Sequence, residues 1–264
     1  MSKPSILLVP GSFSLPEFYD KVISGVAAKG YEIRGLHYPS VGFKTGPRQG
    51  EPATMLDDAA FIAKEVEALA DEGKDVILLA HSYGGVPITQ SAKGLSKQER
   101  QKEGKKGGIV RLLYMTALVV PEGVSASGIL ETFGDGFRLE FGQDEKGWLQ
   151  FKDLSAAAAL TFSDMPDQEE TERLISQFPN HTAASFATEL THAGYKNIPS
   201  SYLLCEEDRI IPSKNQRDAV ELIERVSQSQ VEVTTVQSGH APHVTKAPEV
   251  VDWVLKAAAK HESN

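Results

Sequence analysis

The chain has one cysteine, Cys205. No internal disulfide can form, and no CxxC-type metal site exists. Its neighbours Ser201-Tyr-Leu-Leu make it a small buried hydrophobe rather than a reactive thiol. The histidines are scattered, with no HExxH spacing, so neither a metal nor an organic cofactor is expected. Long apolar runs are also scarce. The longest uncharged stretch, 76–92, falls just short of a membrane span and contains His81, Ser82, Gly84, Gly85 and Pro87, which suit a turn better than a bilayer. Met1-Ser-Lys-Pro-Ser leads straight into a strand-like run without a signal-peptide core and cleavage site, so no secretory signal is expected. Basic charge is outweighed, 27 residues against 36 acidic ones, for a net −9. That balance disfavours nucleic acid and anionic membrane as partners. The expectation is a soluble cytoplasmic protein acting on a small molecule, alone or as a homodimer.

What is present is ordinary globular sequence. The 264 residues suit one large domain or one domain with a sizeable insertion. Hydrophobic residues at 41% and charged residues at 24% exclude a disordered or fibrous chain.

Strand-like and helix-like segments alternate. Ser5–Pro10 is a continuous apolar run ending at a glycine, as a buried parallel strand should be. Residues 17–29 place Phe18, Val22, Ile23 and Val26 on one helical face, with Gly30 as a stop. Residues 31–38 read as a strand and 42–52 as a Gly/Pro-rich loop. A helix is predicted over 54–70, with Asp57 and Asp58 in its first turn where negative charge suits the dipole. Asp75–Ala80 is the next buried strand, and a helix follows over 83–95. Residues 96–108 are dense in charge of both signs and predict a solvated surface loop, a basic docking patch being the sharper alternative. Strand, helix, strand and helix recur after residue 109, at 109–120 and then 200–207, 211–226, 231–237 and 248–260. This alternation predicts an α/β fold, a mostly parallel doubly wound sheet with helices on both faces. Its chemistry belongs at the carboxyl ends of the strands.

Residues 124–197 break the pattern. They carry Phe133, Phe137, Phe141, Trp148, Phe151, Phe162 and Phe178 with few strand signals, and predict a helical cap inserted into a core formed by 1–123 and 198–264. Its aromatic residues either pack the insertion onto the core or line a pocket beneath it.

The sharpest local signal is Ala80-His81-Ser82-Tyr83-Gly84-Gly85 after the apolar Val76–Leu79. A serine in a tight strand-to-helix turn projects its hydroxyl above the sheet, and small residues two before and two after let strand and helix approach. Ala80 and Gly84 fill those places. A serine needs a base held by a third group to become a nucleophile. His240, on the glycine-containing turn after the last strand, is the candidate base, with His243 as its competitor. Asp208 is the candidate acid, at the strand-end turn before Ile-Ile-Pro212, with Glu206 and Glu207 adjacent. Gly11 allows a sharp turn after the first strand, so the Ser12 amide can join the Tyr83 amide as an oxyanion hole. Phe13 and Trp148 are the candidates for substrate contact.

These residues resemble the α/β-hydrolase superfamily from Ser5 to about Lys260, outside the insertion. The resemblance is carried by Val9-Pro-Gly-Ser12, His81-Ser-Tyr-Gly84, Asp208 with Ile211-Pro212, and Ser238-Gly-His240 followed by Pro248-Glu-Val250. Within the superfamily the chain is similar to the small-cap group of plant methylesterases and hydroxynitrile lyases and to fungal hydrolases. The resemblance implies an eight-stranded sheet, entered here at the third strand. It also implies the chain order Ser82, Asp208, His240. Many relatives have His-Gly where this chain has Pro10-Gly11.

The implied activity is hydrolysis of a carboxylic ester or lactone of a small apolar or aromatic metabolite through an acyl-enzyme. A lyase using the same three residues as acid–base machinery is one alternative, although such relatives carry a lysine where this chain has Ala241. A ligand receptor on the hydrolase fold is the other, although a protein released from catalysis has no need to keep all three residues.

Overall fold

Residues 3–133 and 139–262 are described in the computed structural model. Phe137 lies outside them. Six strands form one parallel sheet: β1 (Ser5–Val9), β2 (Ile33–Gly35), β3 (Asp75–Ser82), β4 (Gly108–Ala117), β8 (Ser200–Cys205) and β9 (Glu232–Val236). Their spatial order is β2-β1-β3-β4-β8-β9, and every neighbouring pair is parallel.

The continuous apolar runs follow from burial on both faces. Successive side chains of a strand point to opposite sides. Leu7, Val9, Leu78, Ala80, Leu112 and Tyr114 join one cluster with Ile62, Val66 and Ile223. Their neighbours Ile6, Leu8, Ile77, Leu79, Leu113 and Met115 join the other with Val22, Val26, Trp253 and Val254. The first face is covered by helices Met55–Asp71 and Ser213–Ser227, the second by Asp20–Ala27 and Ala247–Glu262. Cys205 is fully buried in the second cluster, as its apolar surroundings predicted.

Two expectations need correction. Residues 96–108 are not all loop: Lys97–Lys102 is helical. Ser96 and Glu99 form a reciprocal capping box, and the buried Arg100 reaches Asp71 at 2.6 Å. The insertion is not purely helical. Besides helices such as Leu154–Thr161 and Gln168–Ile175, it contains an antiparallel sheet of β5 (Phe141–Gln143), β6 (Trp148–Phe151) and β7 (His181–Thr182). Chemistry at the turn explains the hairpin. The Asp144 carboxylate accepts the Lys146 and Trp148 amides, each at 2.9 Å, and Gly147 takes φ +87°, which a side chain would resist.

β7 also stitches the insertion to the core. His181 bridges Val41, the Gly42 amide donates to the Asn180 carbonyl at 2.8 Å, and the Thr182 amide to the Ser40 carbonyl at 3.0 Å. Among the described residues, no helix is long and apolar enough to cross a membrane.

Candidate active site

The ends of β1, β3, β4, β8 and β9 bring the predicted residues together. Ser82 closes β3 with φ +51°, a left-handed conformation that is costly for any residue with a Cβ. The β3–β4 register shifts between His81 and Ser82, so the ladder breaks where the chain turns. Close approach fixes the glycines beside it. A Cβ on Gly84 would lie 2.6 Å from the Pro10 carbonyl oxygen, and one on Gly11 would lie 2.8 Å from His81 Nδ1 and 3.1 Å from Ser82 Cβ. The 10–13 turn therefore abuts the serine directly.

His240 Nε2 lies 2.9 Å from Ser82 Oγ, and its Nδ1 lies 2.7 Å from Asp208 Oδ2. A carboxylate can only accept, so Nδ1 carries the proton and Nε2 is left to accept from Ser82. Asp208 is buried, and Ile210 and Ile211 donate amides to its Oδ1 at 2.6 and 2.9 Å. Of its two acidic neighbours, Glu207 is exposed and Glu206 pairs with Arg217 at 2.5 Å. Asp208 alone among the three faces His240.

His243 is placed differently. Its ring stacks on Tyr19 with centroids 4.0 Å apart, and its Nδ1 finds no partner among the described residues. Burial pushes it down to about 3, so it stays neutral where a base would be titrating. His81 is likewise held neutral by burial, with the neighbouring His240 adding to the effect. It supports the loops instead. Its Nε2 donates to the His240 carbonyl at 2.7 Å, and its Nδ1 accepts from the Tyr19 hydroxyl at 2.7 Å. That hydroxyl in turn accepts the Gly11 amide at 2.9 Å. One histidine thus ties the loop bearing His240 to the loop after β1.

Sequence reasoning missed Thr116. Its hydroxyl donates to Asp208 Oδ2 at 2.5 Å, and its backbone sits at φ +35°, a strained value for a β-branched residue. A polar residue at the carboxyl end of an otherwise apolar buried strand was the available signal. The second omission is a buried chain of polar groups behind the 10–13 turn. The Phe13 amide donates to His181 Nδ1 at 3.2 Å, and His181 Nε2 lies 2.8 Å from Ser40 Oγ. The Ser40 hydroxyl and amide donate to Asp58 at 2.6 and 2.8 Å, and the Tyr83 hydroxyl donates to the same carboxylate at 2.8 Å. Burial raises Asp58 to about 7 against the pull of those donors and lowers His181 to about 3.

Phe13 and Trp148 are each 2% exposed. The Phe13 ring enters the insertion, stacked on Phe141 at 5.2 Å and beside Phe151 at 4.7 Å. Among the described residues, no group of three His, Cys, Asp or Glu is arranged to hold a metal ion.

Comparison with known proteins bears on the family and the fold. The sequence pattern of the alpha/beta hydrolase family matches residues 6–253. Alpha/beta hydrolase nvfD from Aspergillus novofumigatus is 30% identical over 265 residues, covering 98% of each chain. Methylesterase 1 from Arabidopsis thaliana is 23% identical over 272 residues, covering 98% of this chain and 97% of that one. The solved structure of a pyrethroid hydrolase from Sphingobium faniae matches with a TM-score of 0.71 and 19% identity over the full length of both chains.

Proposed function

Since the chain belongs to the alpha/beta hydrolase family, we propose that it is a serine hydrolase cleaving a carboxylic ester or lactone of a small apolar or aromatic metabolite. The observation that carries this reading is the hydrogen-bonded line from Ser82 Oγ through His240 to Asp208, at 2.9 and 2.7 Å.

Ser82 Oγ attacks the ester carbonyl while His240 Nε2 takes its proton. Asp208 holds the imidazole in the tautomer that can accept and stabilises the imidazolium that forms. The Ser12 and Tyr83 amides donate to the tetrahedral oxyanion. The Phe13 amide is already committed to His181, which favours Ser12 as the donor from that loop. The imidazolium returns its proton to the departing alkoxide, and an acyl-Ser82 ester remains. Water, deprotonated by the same histidine, releases the acid and restores the serine. Every step uses groups of this chain and water. The insertion acts as a cap over the strand ends, and its phenylalanines give the site an apolar surround.

A panel of aryl esters, methyl esters and lactones of graded size tests the reading. Turnover by the parent protein, abolished in Ser82→Ala with the melting temperature kept, supports it. Equal turnover by Ser82→Ala removes it.

A further inference from the structure

The buried chain behind the 10–13 turn joins two segments that the proposed mechanism uses separately. Phe13 follows Ser12, and its amide is held by His181 Nδ1. Tyr83 follows the nucleophile, and its hydroxyl is held by Asp58. Ser40 closes the line between them, donating to Asp58 and facing His181 Nε2 at 2.8 Å. His181 must accept at Nδ1, because the Phe13 amide can only donate. Its proton is therefore on Nε2, directed at the Ser40 and Ser185 hydroxyls, 2.8 and 3.0 Å away. Ser40, His181, Asp58 and Tyr83 are at most 1% exposed, so water does not compete for these bonds.

Phe13 itself is strained, with φ +56°. A phenylalanine holds that conformation only where its surroundings over-determine it. Here the amide is fixed by His181, and the ring is clasped by Phe141 and Phe151. All three of these residues belong to the 124–197 insertion. The strain sits one residue from the proposed oxyanion donor.

We propose that His181 is a positioning residue for the oxyanion hole: the insertion, through His181 and the Ser40–Asp58 pair behind it, sets the backbone of the Ser12–Phe13 turn against that of Tyr83. This rests on the serine-hydrolase reading of Ser82. Without the His181 acceptor, the turn relaxes from its left-handed conformation and the Ser12 amide leaves the oxyanion position. Substrate still binds, but the transition state loses a donor. A displacement of this kind costs up to about 100-fold in rate.

The two ring nitrogens make the test specific. In His181→Asn, the side-chain oxygen falls where Nδ1 stood and keeps the acceptor for Phe13. In His181→Gln, the amide reaches the Nε2 position toward Ser40 and leaves the Phe13 amide unpaired. The rate of fluorophosphonate labelling at Ser82 reads the oxyanion hole without knowledge of the natural substrate. Melting temperature reports folding in parallel, and kcat and KM are measured with an aryl ester that the parent turns over. The expected result is labelling and kcat lowered about 10- to 100-fold in His181→Gln, with KM within about 3-fold. His181→Asn should recover most of that loss. A packing role alone predicts the reverse ranking, because glutamine is closer in size and keeps the Ser40 contact. Equal rates in the two variants, or a faster His181→Gln, overturn the proposal. If neither variant folds, Ser40→Ala decides: a folded protein labelled as fast as the parent overturns the proposal, and slowed labelling supports it. A parent protein not labelled at Ser82 at all overturns the serine-hydrolase reading and this role with it, whereas normal labelling of both parent and variants overturns this role alone.

Discussion

The sheet and the insertion share one apolar core but differ in how polar bonds add to it. The sheet is fixed by apolar side chains alternating between two buried faces, with the site residues standing on its strand ends. The insertion has a small apolar contact of its own with the core, where Ala157, Ala158, Phe162 and Ile175 pack around Ala241. It also joins the main core through Ala126, Leu190 and Tyr195 and through Phe141 and Phe151 on Phe13, and it adds polar ties of its own. Ser163 Oγ donates to the Glu207 carbonyl at 2.9 Å, Ser238 Oγ to Asp164 at 3.2 Å, and the Phe13 amide to His181 at 3.2 Å. Each of these bonds ends within two residues of a proposed catalytic group: Asp208, His240 and Ser12. In the proposed mechanism the core supplies the reacting groups at fixed positions, and the insertion adjusts the loops that carry them. Directional bonds suit that task, because hydrophobic contact sets proximity but not orientation.

The largest expected effect lies wholly in the core. Ser82→Ala should reduce hydrolysis roughly 10³-fold or more and leave the melting temperature unchanged or raised, since alanine keeps the backbone and loses only a strained polar group. A large fall in melting temperature would mean that the serine is structural. Asp208→Asn should come next, because the amide favours the wrong histidine tautomer and the rate falls by roughly 10³-fold or more. Glu206→Gln and Glu207→Gln should stay within about 3-fold, as surface groups do. Steady-state rates of the three variants settle the order, and a larger loss at either glutamate would move the acid.

Two glycines sharpen the contrast between the regions. A Cβ on Gly84 meets the backbone oxygens of Pro10 and Val9 at 2.6 and 2.8 Å, and neither can move without the sheet. A Cβ on Gly239 meets the side-chain atoms Ser163 Oγ and Asp164 Oδ1 at 2.6 and 2.7 Å, which can rotate away, and the Ser163 backbone nitrogen at the looser distance of 3.2 Å. Gly84→Ala should cost about 3 kcal/mol and Gly239→Ala about 1 kcal/mol in chemical denaturation. Gly239→Ala should still slow turnover, because it separates the insertion from the loop bearing His240. Equal stability losses would show that the insertion is as rigidly seated as the core.

The last effect is one of pH. Burial lowers His243 to about 3 from 6.5. The unfolded chain therefore binds the proton first on acidification, and stability is lost as pH falls below about 6.5. His243→Phe keeps a ring against Tyr19 and removes the titration. Relative to the parent, it should gain about 2 kcal/mol between pH 8 and pH 5. Asp58 acts in the opposite direction. Raised to about 7 from 3.8, it binds its proton in the folded state first, so its contribution falls as pH rises from about 4 to 7. Melting curves of the parent and His243→Phe across this range check the sign, and parallel curves would contradict the buried neutral histidine.

Legibility in the sequence follows the same division. The strands of the core announce themselves because burial on both faces demands uninterrupted apolar runs, as at Val76–Leu79. The meeting of Ser82, Asp208 and His240 above the sheet was legible because each stands at a strand end with small or turn-forming neighbours. β5 and β6 were harder to see. Their pairing depends on the Asp144–Gly147 turn more than on a run of β-branched residues. Ser40, Asp58 and His181 gave no local signal, since their roles come from partners up to 168 positions away. In the sequence Asp58 is no more than a favourable charge in the first turn of a helix. Its burial beneath Tyr83 is a tertiary fact that no window of sequence contains.

The central claim is that Ser82 is a nucleophile activated by His240. Its most direct test is peptide mapping after brief treatment with a fluorophosphonate at neutral pH, run on the parent and on His240→Ala. The account predicts one adduct per chain, located on Ser82 in the parent and nearly absent from the folded His240→Ala protein. An adduct on another residue, or equal labelling of Ser82 with and without the His240 imidazole, would contradict it.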